Sequence, residues 1–480
     1  MTNVERARRT IADARGRGAA DFCVCGGSRN APLLAVLSVT PDLRLWSFVD
    51  ERAAAFFALG RAKLTGMPAA IVTTSGTAVA ELMPAVVEAY YSGTPLIVIT
   101  ADRPARYRGT GAPQCIEQEG IFGAYAGGCV THVNVEFDEP LIDGPICHPE
   151  RSEGPGGAGG AQTLPPRSLA TLGMTSGRPV IILGGLAAKD RERAKSYALR
   201  LQAPVYAEPL SGLREDPDLP LITAGERMLA RGNFDSVVRI GNVPALRFWR
   251  DLDEKDIEVV NISPLPFPGL ARGSVLPMSA LDDDVERHPA PPSFFDDDRE
   301  KASRINAILY GEPKSELAMF RALSQRIEEG ARVYLGNSLP IREWDLAAAR
   351  GPRGFTIEAN RGANGIDGQL STFFGQCDAA RANVCVAGDL TAIYDMNAPW
   401  IVPQLPRALR FEIVVVNNGG GRIFSRVASL ADIDRTLIEN AHDFHFGKWA
   451  SMWGIEDRVT ELRPDAAASA RAWAKYDALW

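Results

Sequence analysis

The 480-residue chain is short of the residues that build a zinc site or a disulfide scaffold. It has five histidines, none in an HExxH arrangement, and seven scattered cysteines, an odd number. Cys23 and Cys25 form a lone C-x-C inside an apolar, strand-like run, and no second pair completes four ligands. Buried, reduced thiols are the expectation. No apolar run approaches the roughly 20 residues needed to cross a bilayer. The amino-terminal stretch MTNVERARRTIADARGRG reads as a charged amphipathic helix with no hydrophobic stretch, unlike a secretory signal. No membrane insertion and a cytoplasmic location are expected. There is no basic excess either: 52 Lys and Arg face 59 Asp and Glu, a formal charge of -7. That balance argues against nucleic acid or an anionic membrane as partner, while leaving room for a few arginines to make one cleft positive. No short-period repeat is visible, so a solenoid is excluded.

The chain is rich in alternating apolar runs and helical patterns, the signature of α/β architecture with parallel sheets. In the first third, residues 22–25, 43–49, 69–73, 96–100 and 133–137 read as strands. Residues 51–64 and 77–91 carry apolar positions at helical spacing. Residues 144–176 break the rhythm: Gly, Pro and Ser dominate, and little apolar surface is available to offset ordering entropy. That stretch reads as a linker or insertion, and Cys147 and His148 within it make a poor metal site. A second unit follows, with strands at 179–183, 204–207, 236–240 and 257–262 and a helix at 189–201. Its ILGGL turn lacks the GxGxxG spacing of a dinucleotide site. Residues 264–300 are rich in Pro and Asp, and Asp282 to Asp284 read as a solvated face. A third unit carries strands at 332–335, 355–358, 383–387 and 412–416. The domains expected are 1–143, 177–298 and 299–480, with 144–176 between the first two.

The chemistry concentrates at two strand ends of the third unit. One strand runs into Gly388-Asp389-Leu390, the other into Asn417-Asn418 and three glycines. Ligands of open α/β sheets bind where strands end and helix N-termini offer free donors. Asp389 supplies an anionic oxygen, Asn418 an amide oxygen, and the Gly420 backbone a carbonyl. A few hard oxygens, completed by water and a diphosphate, suit Mg²⁺, with Mn²⁺ as an alternative.

This pairing resembles the thiamine-diphosphate fingerprint, and the likeness extends well beyond it. CGGSRNAPL (25–33), FVDERAAAFFALGRAKLTG (48–66), TTSGTAVAELMPAVVEA (73–89), TADRPARYRGTGAPQCIEQ (100–118), GNSLPIREWD (336–345), ANRGANGIDGQLSTFFG (359–375) and NNGGGRIFS (417–425) resemble one family. It is the 2-succinyl-5-enolpyruvyl-6-hydroxy-3-cyclohexene-1-carboxylate synthases of menaquinone biosynthesis, and clear matches cover about two thirds of the chain. The resemblance implies three doubly wound parallel-sheet domains of the thiamine-diphosphate-enzyme type: pyrimidine-binding, central and diphosphate-binding. It also implies a homodimer or homotetramer with active sites between subunits.

The implied reaction is decarboxylation of 2-oxoglutarate and conjugate addition of the four-carbon unit to isochorismate. Glu51 matches the acid that serves the cofactor's aminopyrimidine N1′, while Asp50 beside it is placed to cap the helix that follows. The resemblance assigns Gly388, Asp389, Leu390, Asn418 and Gly420 to the diphosphate and metal. Ile366 matches the residue that props the cofactor, and Ile423 and Phe424 the apolar patch over it. Ser28, Arg29, Arg103, Gln114, Ser338, Arg342 and Arg361 match substrate-binding positions, with Arg247 a weaker match. Both substrates are dicarboxylates, which the planar guanidinium fork binds bidentately.

Three features depart from the family pattern. Only AGGC separates Tyr125 from Val130, where relatives carry another helix, and the chain is short between Trp453 and Val459. Arg422 stands where Gln or Gly is usual. Two other readings follow from these departures and from the breadth of the fold: a related carboligase or decarboxylase of the acetolactate-synthase kind, or a cofactor-binding subunit that has lost catalysis.

Overall fold

The computed structural model describes residues 1–144, 146, 177–427, 430 and 432–480. Apart from Gly144 and Ile146, the linker expected at 144–176, with Cys147 and His148, lies outside the described residues.

Strands β1 (Asp21–Cys25), β2 (Arg44–Phe48), β3 (Ala69–Thr73), β4 (Leu96–Asp102) and β5 (Val130–Glu136) form a sheet in the order β2-β1-β3-β4-β5, with every pairing parallel. Strands β6 (Pro179–Leu183), β7 (Val205–Ala207), β8 (Ser236–Ile240), β9 (Glu258–Ile262) and β10 (Val275–Leu276) form another parallel sheet, β7-β6-β8-β9-β10. A third sheet holds β11 (Arg332–Leu335), β12 (Thr356–Glu358), β13 (Asn383–Gly388), β14 (Phe411–Val416) and β15 (Val459–Leu462) in the order β12-β11-β13-β14-β15. All three repeat one order, second-first-third-fourth-fifth, which is the doubly wound arrangement with its switch point between the first and third strands.

Parallel strands bury both faces, so they read as continuous apolar runs. Accordingly β3, β4, β6 and β8 are buried along their whole length. In the first sheet, Phe22, Ile97 and Ile99 pack with Val4 and Ile11 of the helix Asn3–Gly16 and with Leu33 and Leu37 of the helix Ala31–Val39.

By packing, the chain resolves into two compact units: Met1–Gly160, Asn360–Ile413 and His445–Val459 form the first, and Ala161–Ala359, Val414–Phe444 and Thr460–Trp480 the second. Within the first unit, the helix Glu51–Thr65 lies against the helix Gln369–Gln376. Glycine permits the approach, because a Cβ on Gly60 would sit 2.2 Å from the Thr372 carbonyl and one on Gly375 2.2 Å from that of Phe57.

Several expectations shift in detail. The helix expected over 77–91 is two helices, Thr77–Ala80 and Met83–Ser92. Pro84 sits at the start of the second, where its missing N–H costs nothing. The strand expected at 133–137 begins at Val130, so β5 pairs with β4 over seven residues directly after the short AGGC turn. The Pro- and Asp-rich stretch 264–300 contains β10 and the first turns of a 20-residue helix, Pro292–Gly311. After Trp453, Gly454 closes the preceding helix in the left-handed conformation, and a single 3-10 turn leads into β15. Cys23, Cys25 and Cys385 are buried free thiols.

Candidate active site

At the carboxyl edge of the first sheet, three loops converge. The loop after β1 meets the loop after β3 so closely that a Cβ on Gly27 would lie 2.6 Å from Thr74. Gly76, in the loop after β3, lies against Gln114 in the loop after β4; the Gln114 backbone is left-handed, with φ 55°. The candidate residues Ser28, Arg29, Arg103 and Gln114 belong to these loops. Arg29 is buried, donating Nη1 to the Phe137 carbonyl at 2.9 Å and pairing with Glu139 at 3.3 Å. Much of its charge is therefore committed to holding the end of β5. Arg103 donates Nε to the Pro113 carbonyl at 2.9 Å and so closes its own loop. Ser28 is exposed.

Glu51 opens its helix three residues beyond Phe48, the last residue of β2, with Val49 and Asp50 between. Asp50 caps that helix, accepting from the Ala53 amide at 3.0 Å, as its position suggested. Glu51 is half-buried, and its carboxyl is raised by burial and further by the charges of Asp50 and Glu81. A carboxyl held toward its neutral form is suited to share a proton with a ring nitrogen.

Also in the first unit, the loop that carries Arg361 and Ile366 is anchored by Glu88, which is buried and accepts from the amides of Gly362 (2.9 Å) and Ala363 (2.7 Å). Both side chains are half-buried. Gly388 is the last residue of β13, and Asp389 begins the helix Asp389–Tyr394, its carboxylate buried and accepting from the Leu390 amide at 2.7 Å.

In the second unit, the two adjacent asparagines do different work. Asn417 ties the loop down, donating to the Phe444 carbonyl at 2.8 Å and to Glu461 at 2.6 Å. Asn418 donates its amide nitrogen to both oxygens of Glu316, at 3.1 and 3.2 Å. A carboxylate accepts only from the NH₂ side, so this contact fixes which way the amide points. Its Oδ1 is buried and has no hydrogen-bond partner among the described residues. An orphaned, oriented amide oxygen is what a hard cation takes as ligand. Gly420 has φ 130°, and a Cβ there would lie 2.5 Å from the Glu439 carbonyl, so only glycine fits. Arg422, the departure from the family pattern, pairs with Glu439 at 2.8 Å and donates to the Asn418 carbonyl at 3.1 Å, which clips the loop in place.

The second unit also contains a cavity of about 610 Å³ in which Arg247, Arg342, Ile423 and Phe424 share the walls. Arg250 and Lys255 add further positive charge. Arg342 donates to the Ser338 carbonyl at 2.6 Å, and Ser338 itself is strained, with φ 70° in a residue other than glycine. Glu343 lines the same cavity. Burial pushes its carboxyl well above the usual carboxylate range, with Glu316 alongside adding to the shift, and Glu226, Asp251 and Asp345 line the cavity as well. Arginines facing a partly apolar wall in a cavity of this size suit a small molecule with more than one carboxylate.

Sequence reasoning missed the residues that hold these groups. Gln118 is wholly buried, accepting from the Gly76 amide at 2.9 Å and donating to the Ala101 carbonyl at 3.1 Å. The hydroxyls of Thr73 and Thr74 are buried at the end of β3 and unpaired among the described residues. Gln118 and both threonines lay inside runs the sequence had flagged, while Glu88 and Glu316 gave no local sign of their role.

A glycine-lined switch-point crevice with a half-buried acid beside it, and elsewhere an oriented amide oxygen in a glycine loop, are the parts of a thiamine-diphosphate enzyme. In agreement, residues 8–121 match the family described as thiamine pyrophosphate enzyme, N-terminal TPP binding domain. Over the full length of both chains, the sequence is 39% identical to the 2-succinyl-5-enolpyruvyl-6-hydroxy-3-cyclohexene-1-carboxylate synthase of Bdellovibrio bacteriovorus. It is 37% identical to that of Akkermansia muciniphila, over 91% of this chain and 88% of the relative, and 32% identical to that of Chloroflexus aurantiacus, over 91% and 85%. The chain belongs to the 2-succinyl-5-enolpyruvyl-6-hydroxy-3-cyclohexene-1-carboxylate synthase family. The Bdellovibrio alignment runs over 539 residues against 480 here, so that relative carries segments this chain lacks. No helix among the described residues is long and apolar enough to cross a membrane.

Proposed function

We propose that the chain decarboxylates 2-oxoglutarate and adds the four-carbon unit to isochorismate, releasing CO₂ and 2-succinyl-5-enolpyruvyl-6-hydroxy-3-cyclohexene-1-carboxylate for menaquinone biosynthesis. Bound thiamine diphosphate supplies the carbon nucleophile and the electron sink for this chemistry. Glu51 holds a proton at the aminopyrimidine N1′, a role its burial-raised carboxyl suits. Asp389, the oriented oxygen of Asn418 and the Gly420 carbonyl take Mg²⁺, or Mn²⁺ in its place, beside the diphosphate; the orphaned Asn418 Oδ1 supports that assignment. Gly388 and Leu390 flank Asp389 and give the diphosphate close backbone approach. Ile366 props the cofactor, and Ile423 and Phe424 keep water from it. Ser28, Arg29, Arg103, Gln114, Arg247, Ser338, Arg342 and Arg361 bind the substrate carboxylates and hydroxyls.

The observation that carries this reading is the second unit's cavity, where Arg247 and Arg342 meet Ile423 and Phe424 on common walls. A homodimer or homotetramer is the proposed working unit, supported by Leu45, Val49, Tyr394 and Trp400, large apolar side chains left exposed on the first unit. The test is direct. Purified protein with thiamine diphosphate, Mg²⁺, 2-oxoglutarate and isochorismate consumes isochorismate, and chelation of the metal stops it. Turnover of pyruvate with isochorismate untouched sinks the assignment in favour of an acetolactate-synthase-like reaction, and cofactor binding without carbon–carbon bond formation sinks it in favour of a subunit that has lost catalysis.

A further inference from the structure

In the first unit, the stretch on either side of Glu51 is gripped by one distant segment. The Asn397 amide donates to Asp50, immediately before Glu51. Arg52, immediately after, donates to the Tyr394 carbonyl at 3.1 Å, stacks 4.7 Å from the Tyr394 ring and stands 3.8 Å from Asp395. Farther back along β2, Ser47 is bound on both sides of its backbone. Its amide donates to Gln404 at 2.8 Å, and its carbonyl accepts from Gln404 at 2.7 Å and from the Trp400 ring nitrogen at 3.0 Å.

The gripping segment is itself pinned. Asp395 is wholly buried and accepts from the Ser371 amide at 2.8 Å and from its hydroxyl. The Met396 carbonyl accepts from the ring nitrogens of Trp449 (2.8 Å) and Trp453 (3.0 Å). These polar contacts converge on the neighbours of a single acid.

We infer that residues 394–404 are a clasp that positions Glu51, with Asn397 and Arg52 as positioning residues that act through its backbone. The clasp touches Asp50 and Arg52 and fixes the first turn of the helix Glu51–Thr65, so the Glu51 carboxyl is delivered at a set height above the sheet edge. The inference rests on the proposed role of Glu51.

The test exchanges donor and acceptor. Asn397→Asp sets two carboxylates against each other at Asp50; Asp50→Asn combined with it restores one hydrogen bond with its direction reversed, and asparagine still caps a helix. The readout is deuterium exchange at the thiazolium C2 of added thiamine diphosphate, which reports the acid's work before any substrate binds. Thermal unfolding is followed in parallel. Asn397→Asp slows exchange by about tenfold or more, since sub-ångström misplacement of a catalytic group is costly, and the double variant recovers to within about threefold of the parent. Exchange at the parent rate in Asn397→Asp overturns the clasp. So does a double variant that unfolds like the parent yet stays slow. Should Asn397→Asp not fold, Gln404→Ala, which removes two of the three Ser47 contacts, is expected to slow exchange with KM for 2-oxoglutarate unchanged, and parent-rate exchange there overturns the inference equally. If the parent and Glu51→Gln exchange C2 at the same rate, it is the role of Glu51 that fails.

Discussion

The first and second sheets share one strand order, and both line their switch point with glycine, yet their carboxyl edges are built to opposite ends. In the second sheet the crevice is closed by its own backbone. The Asn242 amide donates to the Gly185 carbonyl at 3.0 Å, and a Cβ on Gly184 would lie 2.1 Å from the Asn242 carbonyl. Glu208, directly after β7, is bound to the Ala245 amide at 3.0 Å. Nearby, the Ser211 hydroxyl donates to the Glu208 carbonyl at 2.6 Å and accepts from the Leu213 amide. In the first sheet the matching places hold a half-buried Glu51 and two buried threonine hydroxyls with no partner among the described residues. Topology is common to both edges, so topology is not what makes a site; unspent polar groups are.

The comparison is broken most severely at the two acids. Glu51→Gln is expected to lower isochorismate consumption by a factor of about 10² to 10⁴, the range lost with a general acid or base, at unchanged thermal stability. Glu208→Gln keeps a carbonyl for the Ala245 amide and is expected to leave the rate within about twofold, because nothing there is transferred. Equal losses in the two variants would erase the distinction between the edges.

Behind the first edge, Asp395 makes a sharper test through pH. It is wholly buried and its carboxyl is raised from 3.8 to about 6, because burial outweighs the Ser371 and Arg52 contacts. The folded protein therefore holds this proton more tightly than the unfolded chain. Its contribution to stability is fully present below about pH 4, declines as pH rises, and above about 6 a penalty of up to about 3 kcal/mol is in force. Asp395→Asn removes the titration. Denaturant unfolding at pH 4 and pH 7 should show the variant gaining on the parent by as much as about 3 kcal/mol between the two. A constant difference across that window removes the ionised carboxyl from the account.

Gly184 offers a somewhat smaller effect. A methyl group there meets backbone, which cannot rotate away, so Gly184→Ala is expected to cost about 1–3 kcal/mol by overpacking, read from urea unfolding. Thiamine diphosphate affinity should not change, since none of the residues proposed to hold the cofactor belongs to the second edge. Weakened cofactor binding in Gly184→Ala, at matched fraction folded, would give the second edge a role it lacks here.

How much of this was legible beforehand follows from the range of the interactions. The strands were readable because both faces are buried, which leaves unbroken apolar runs such as AAIVT and LIVIT. Asp389 and Asn418 stood out as candidates because each follows such a run in a short punctuated loop, and Glu51 because it opens a helix just after β2. Asp50 was readable as a cap because capping is local. Glu316, by contrast, stands 102 residues from Asn418, and it sits in the first turn of the helix Glu316–Arg326, where an acid already suits the helix dipole. Nothing local marks it as a partner for an amide. Asn397 and Asp50 are 347 residues apart and equally silent. The helix over 77–91 was misjudged for a local reason, since apolar spacing continues across the break just before Pro84.

The smallest expected effect carries the clearest sign. Thr73 and Ser211 are both wholly buried hydroxyl residues near a sheet edge; among the described residues the first is unpaired and the second has two partners. An unpaired buried hydroxyl costs its desolvation, so Thr73→Val should raise the stability of the ligand-free protein by about 1 kcal/mol. Ser211→Ala leaves the Leu213 amide without its acceptor and should lower stability by about 1–2 kcal/mol. Opposite signs in paired urea titrations support an edge held ready for a ligand against an edge already satisfied. A loss of stability in Thr73→Val shows instead that its hydroxyl is in use within the free protein, and the first edge then has no more claim to a ligand than the second.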